Sequence, residues 1–204
     1  FWDSFPPSRE LQLESYGLRR ALVDPGHVYL HPDGASIAFW ADARKTVEDI
    51  KRISVKDAKA YLEFAEVLGT FAEIALRFAR ANPTRLDWGA VWHAVKQTMK
   101  IRGRIGEMLS LPFLSATEII AERFEHQIVR DALHASAGAT VPNNQSGTGV
   151  CFLWMATLHR YPCQRPIGGV QAIPEALARR LRSLGGDVVC EAPVAQITLK
   201  GGRA

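Results

Sequence analysis

The sequence predicts a predominantly helical α+β fold, and three observations carry that prediction. Between residues 42 and 137, apolar residues recur at steps of three and four behind residues suited to cap helices. A single β-hairpin signature precedes this region, and a helix running into two β-rich stretches follows it. With 204 residues, 47% of them apolar, the chain is long enough to bury a core of one domain or one and a fraction.

Taken in order, a short helix is expected from Ser8 to about Tyr16, after Pro6-Pro7 and closed by Gly17. His27-Val28-Tyr29-Leu30 and Ser36-Ile37-Ala38-Phe39 flank the turn Pro32-Asp33-Gly34 and read as a hairpin that needs a helix or further strands against it. Asp42 caps a helix through Ile50. Ser54-Val55-Lys56-Asp57 has the form of a capping box and opens a long helix to about Arg80, ended by Asn82-Pro83. That helix carries two apolar stripes, one of Phe64, Val67, Phe71, Ile74 and Phe78, the other of Leu62, Ala65, Leu68, Ala72, Ala75 and Leu76. A helix apolar on two sides is a central core helix, or one stripe walls an apolar cavity or meets another domain.

Asp87 to Lys100 follows as a helix with Trp88, Val91, Trp92, Val95 and Met99 at helical spacing, and Gly103 and Gly106 interrupt after it. Ser115-Ala116-Thr117-Glu118 is a second capping box, for a helix through Arg123; Glu125 to Ala137 is helical and Gly138 ends it. The polar loop Asn143 to Gly149 leads into Val150–Ala156, apolar all round and read as a buried helix. Past Arg165 the character changes. An amphipathic helix places Val170, Ile173, Leu177, Leu181 and Leu184 inside and Arg179, Arg180 and Arg182 outside, with Pro174 tolerated near its first turn. Gly185-Gly186 stops it, and Asp187–Cys190 and Val194–Leu199 read as strands before a turn at Lys200-Gly201-Gly202-Arg203. The boundary is placed at Arg165, giving a helical substrate-binding or cap region over 1–165 and a helix with strands over 166–204. The last turn delivers a strand that does not follow, so the chain reads as part of a longer protein.

The net charge is +4 and dispersed, apart from Lys96-Lys100-Arg102-Arg104 and Arg179-Arg180-Arg182. Without interleaved aromatics these clusters read as solvated helix faces, so no nucleic-acid partner is expected. Three cysteines, Cys151, Cys163 and Cys190, make no disulfide framework and fit a reducing, intracellular setting. His159-x-x-x-Cys163 lacks a second tight ligand pair, so no metal is expected. The longest apolar run, Val150–Ala156, is far short of a bilayer span.

No nucleophile elbow, P-loop, Cys-x-x-Cys pair or G-x-G-x-x-G is present. His27 and His31 lie by the hairpin, and His93, His126, His134 and His159 fall on helices or helix ends with no evident Asp or Ser partner; all six read as structural or surface residues. Glu118 and Glu122 lie one turn apart, but Glu118 has a capping role. No catalytic residue is assigned.

The run from Arg165-Pro166-Ile167-Gly168-Gly169 through Ala176-Leu177-Ala178, then Gly185-Gly186, Val194-Ala195-Gln196-Ile197 and Gly202-Arg203-Ala204, resembles the phytoene-desaturase-like branch of the FAD-dependent amine-oxidase superfamily. This branch includes the bacterial phytoene dehydrogenase-related oxidoreductases. Weaker matches extend over the Pro32-Asp33-Gly34 hairpin, Ser54 to Ala58, Tyr61, Phe124 and Gly147-Thr148-Gly149. The resemblance implies a two-part flavoenzyme with this chain as its interior. The N-terminal dinucleotide motif and the C-terminal FAD segment would lie elsewhere in the protein.

It further implies that Val194, Gly168 and Gly169 belong to the cofactor side, with the backbone at Val194 meeting the adenine end of FAD. Phe64, Phe71, Phe152, Trp154 and Met155 are the candidate pocket for an apolar, isoprenoid-class substrate. The chain alone is expected to bind no FAD, to be inactive, and to self-associate where its flavin-binding partner domain is missing. A cytoplasmic location is expected, with peripheral placement at a membrane left open. The alternative is a cofactor-free helical interaction module built on the same scaffold.

Overall fold

A computed structural model describes residues 10–80, 84–85, 87–138, 141–199 and 201–202. Ser8, Pro6-Pro7, Asn82-Pro83, Lys200 and Arg203-Ala204 lie outside the described residues. The fold is the predominantly helical α+β class that the sequence predicts. Among the described residues there are eight α-helices: α1 Ala43–Lys51, α2 Val55–Arg80, α3 Trp88–Lys100, α4 Ile105–Ser110, α5 Ala116–Arg123, α6 Gln127–Ala137, α7 Leu153–Arg160 and α8 Ala172–Ser183. Two small sheets accompany them, one pairing β1 (Arg20–Val23) with β4 (Cys163–Pro166), the other pairing β2 (His27–Leu30) with β3 (Ser36–Phe39). No described helix is long and apolar enough to cross a membrane.

The chain divides into two compact units. One is Leu22–Gln164; the other joins the described residues up to Ala21 with those from Arg165 onward. The division falls within β1 and β4.

In the larger unit the hairpin forms as expected, antiparallel, with His27 opposite Phe39 and Leu30 opposite Ser36. Asp33 closes its turn by accepting the Ala35 N–H at 2.9 Å, and Gly34 takes φ +91°, which side chains resist. Ile37 and Phe39 point into the core while Val28 and Leu30 face out, the alternation of a half-buried strand.

The core gathers on α2. Asp57, Ala58, Tyr61, Phe64, Val67, Leu68 and Ala72 are buried, at the three- and four-residue steps of one helix face. The two predicted stripes therefore merge into one. Phe64, Val67, Leu68 and Ala72 come from both; Leu62 and Phe78 face solvent.

Gly149 sits where the loop from Asn143 turns back: a Cβ there would fall 2.4 Å from the Leu111 carbonyl oxygen and 2.5 Å from Ile119 Cδ1. Only glycine fits that approach. The apolar stretch after it is a 3-10 turn, Thr148–Phe152, running into α7, with Val150 exposed and Phe152, Met155 and Ala156 buried.

Several elements depart from the sequence reading. Ser54 Oγ accepts the Asp57 N–H as a capping residue should, but the Asp57 carboxylate does not return to Ser54. It crosses the fold and accepts the N–H groups of Glu125 (3.0 Å) and His126 (2.8 Å), because the position lies on the buried face. The second box, Ser115 with Glu118, is complete. A short helix, α4, runs through Gly106, where an interruption is expected. Helix α3 forms where predicted, with Asp87 as its cap, yet it turns Ala90 and Gln97 inward and leaves Trp88, Trp92, Val95 and Met99 exposed.

The smaller unit packs Leu13 and Leu18 against Ala176, with Leu11, Tyr16, Ala172 and Ile173 around them. Leu13–Tyr16 is a 3-10 turn closed by Gly17, whose φ of +90° ends it as expected. In α8 the predicted inside is largely left uncovered, while Arg179 and Arg182 lie at the surface as predicted. Val170, Leu177, Leu181 and Leu184 are exposed, while Arg179 donates to the Tyr16 carbonyl (2.7 Å) and Arg180 to the Tyr16 hydroxyl (2.6 Å). Helix amphipathicity is legible in sequence, but which side meets a neighbour depends on what lies alongside, and no described element covers the Leu face.

Asp187–Cys190 and Val194–Leu199 form no strand. A strand is stabilised by a ladder partner, and among the described residues none is available to them; Val194 is 80% and Ile197 69% exposed. Gly201 and Gly202 both take positive φ, +60° and +76°, as a hairpin turn of the expected type requires.

Candidate functional site

His159, near the end of α7, has both ring nitrogens in hydrogen bonds to other elements of the larger unit. Its Nδ1 lies 2.8 Å from the Trp40 carbonyl oxygen and its Nε2 2.8 Å from the Tyr61 hydroxyl. A carbonyl only accepts, so Nδ1 carries the proton and Nε2 accepts from the Tyr61 O–H. The two rings meet edge to face at 6.0 Å.

Trp40 is fixed independently. Its backbone N–H donates to Thr46 Oγ1 (2.9 Å), and its indole Nε1 to Asp49 Oδ2 (2.9 Å), both groups on α1. Asp49 also accepts the Ala38 N–H and pairs with Arg52 at 2.8 Å. One imidazole thus ties the end of the hairpin, α2 and α7 together.

Two adjoining clefts, of about 560 and 470 Å³, share Ala65, Glu66 and His159 in their walls. The larger is bordered by Glu73, Gln97, Lys100 and Arg160, the smaller by Asp42, Arg44 and Leu62. Their character is mixed and charged. Glu73 is paired with Arg160, and Glu66 with Arg104 at 3.2 Å. Burial raises the Tyr61 phenol far above its usual range and lowers the His159 imidazole, so both are neutral near pH 7. With both ring nitrogens engaged, His159 has no free lone pair for a substrate; the arrangement positions elements and offers a polar recess beside them.

A pH dependence follows. His159 protonates less readily folded than unfolded, and burial lowers His27 and His134 as well. The unfolded chain therefore binds more protons in the window between the depressed folded values and the ordinary value of about 6.5. Stability is full above that window and is lost as pH falls through it. Denaturant midpoints taken between pH 7.5 and 5 (about that range) should decrease with acidity, less steeply in His159→Gln. An unchanged slope in the variant would assign the loss to other groups.

The sequence-predicted pocket residues lie elsewhere. Phe64, Phe152 and Met155 have no exposed surface; Phe64 meets Phe152 at 5.1 Å and Phe124 at 6.1 Å, both edge-on. Phe71 is half-buried against the same core. Trp154 donates its Nε1 to the Ser136 carbonyl at 2.8 Å and packs edge-on to His27. None of the five lines either cleft. They are core residues, because large apolar side chains at helical spacing serve packing first.

Gly168, Gly169 and Val194 all belong to the smaller unit and are exposed. Both glycines take a left-handed conformation, φ +91° and +89°, in the turn before α8, with nothing within 4 Å of a Cβ added at either. The turn is open enough for a ligand to approach its backbone. It lies between β4 and α8, but Gly168-Gly169 is followed by Val170-Gln171-Ala172 and lacks the G-x-G-x-x-G spacing of a dinucleotide cradle. Among the described residues no group of three His, Cys, Asp or Glu side chains could hold a metal ion, and the His159-x-x-x-Cys163 spacing is taken up by the Tyr61 and Trp40 bonds.

Asp57 and Asp49 escaped the sequence reading as structural carboxylates. A signal for Asp57 was present: it falls in step with Tyr61, Phe64 and Leu68 on the buried face. No protein-family profile, curated protein or solved structure matches the chain.

Proposed function

We propose that this chain is the substrate-side portion of a cytoplasmic FAD-dependent oxidoreductase of the phytoene dehydrogenase-related type, acting on an apolar, isoprenoid-class substrate. The apolar substrate class rests on the two-striped helix and the apolar segment Val150–Ala156 together with the resemblance, and the five core residues do not supply its pocket. The flavin, held by another part of the same protein, supplies the hydride chemistry, consistent with the lack of a free acid–base pair at His159.

The observation that carries this reading is the uncovered apolar face of the smaller unit. Leu11, Pro174, Leu177, Leu181, Leu184 and Val188 line a groove of about 450 Å³, and Val189, Val194, Ile197 and Leu199 beyond it are 69–80% exposed. Apolar surface of this extent, next to extended backbone without a ladder, supports the reading that another domain covers this face. It lies in the segment that carries the P-x-G-G and V-x-x-I resemblance.

The chain by itself should therefore self-associate, and the amides of residues 187–199 should exchange without protection unless a neighbouring copy covers them. Light scattering with amide exchange reads both. A strict monomer with those amides protected would favour the cofactor-free interaction module.

A further inference from the structure

A second uncovered face lies in the larger unit, on α3. Trp88, Trp92, Val95 and Met99 follow at steps of four, three and four and form one stripe; both tryptophans are 72% exposed, Met99 65% and Val95 45%. The side turned to the protein, Ala90 and Gln97, lies half a turn away around the helix. Helix α3 contains no carboxylate; Lys96 and Lys100 flank the stripe on one side, and Arg102 follows at its C-terminal end. All three cations are exposed, and none makes an ion pair among the described residues.

A soluble surface helix normally turns its apolar stripe inward. Here aromatic and long apolar side chains point outward beside unpaired cations, the composition of a helix lying in a membrane interface. Tryptophan rings suit the headgroup level, and lysines meet anionic headgroups. A protein partner would need to supply both an apolar groove and carboxylates matched to this helix; a bilayer with anionic lipid supplies both without further fitting. We infer that the exposed face of α3 seats this protein peripherally on an anionic lipid surface, with Trp88 and Trp92 inserted and Lys96, Lys100 and Arg102 over the headgroups.

Co-sedimentation of the 204-residue chain with vesicles tests this, using phosphatidylcholine alone and equal parts phosphatidylcholine and phosphatidylglycerol. Binding should favour the mixed vesicles and weaken with salt. Trp88→Ser with Trp92→Ser, and separately Lys96→Glu with Lys100→Glu, should each reduce partition about tenfold or more. Leu184→Ser in the smaller unit should leave it unchanged, and thermal melts confirm that the variants fold. Three outcomes overturn the inference: no preference for anionic vesicles, partition unaffected by the α3 changes, or a dimer in light scattering that the tryptophan changes dissolve. The last would assign the face to a second copy.

Discussion

Phe64→Ala should lower the unfolding free energy by about 4 kcal/mol, the usual range for removing a fully buried phenylalanine ring. Phe64 has no exposed surface and is gripped by Phe152 and Phe124 edge-on, with the Arg123 guanidinium 5.2 Å from its ring centre. These neighbours come from the end of α5 and from the 3-10 turn before α7, so collapse around the void is resisted from more than one side. Urea unfolding followed by circular dichroism checks the value. A loss below about 1 kcal/mol would mean that the ring lines a space already open, as a substrate pocket would, instead of a packed core.

Asp57→Ala should cost about 3 kcal/mol and lower Tm by about 10 °C. The fully buried carboxylate receives two backbone N–H groups, from Glu125 and His126, just where α5 has ended and α6 begins. His126 is itself the cap of α6, accepting the Ile128 N–H through Nδ1 at 3.3 Å, so both helix ends depend on this crossing. Alanine leaves two donors without an acceptor. Asn keeps one carbonyl oxygen and should lose about half as much. Differential scanning calorimetry of the two variants separates this account from simple capping of α2: a cap at Ser54 would make Ser54→Ala the more damaging change, and Asp57→Ala nearly silent.

Much of the fold was legible because its causes are local. The Pro32-Asp33-Gly34 turn with alternating residues on both sides specifies the hairpin, and Ser115 with Glu118 specifies the start of α5. The parts that were not legible are decided by distant neighbours. The local rule assigns the Asp57 carboxylate to Ser54, while its partners stand 68 and 69 residues away. His159 bonds to groups 98 and 119 residues away, and no spacing rule points to them.

Periodicity located an apolar side on α3 and on α8 correctly. It could not tell that Ala90 and Ala176, small enough for close approach, would be the buried contacts instead. The same holds for the C-terminal stretch. Its Val and Ile content marks extended backbone, but a ladder needs a partner that the described residues do not provide.

Flavin content is the measurement that meets the central claim most directly. The purified 204-residue chain, mixed with FAD and freed of excess, should be colourless. The product of the whole reading frame that encodes it should retain about one FAD per chain, seen as flavin absorbance and released on denaturation. Stoichiometric flavin on the 204 residues alone would contradict the division of labour proposed here, and a complete gene product that holds no flavin would contradict the oxidoreductase assignment itself.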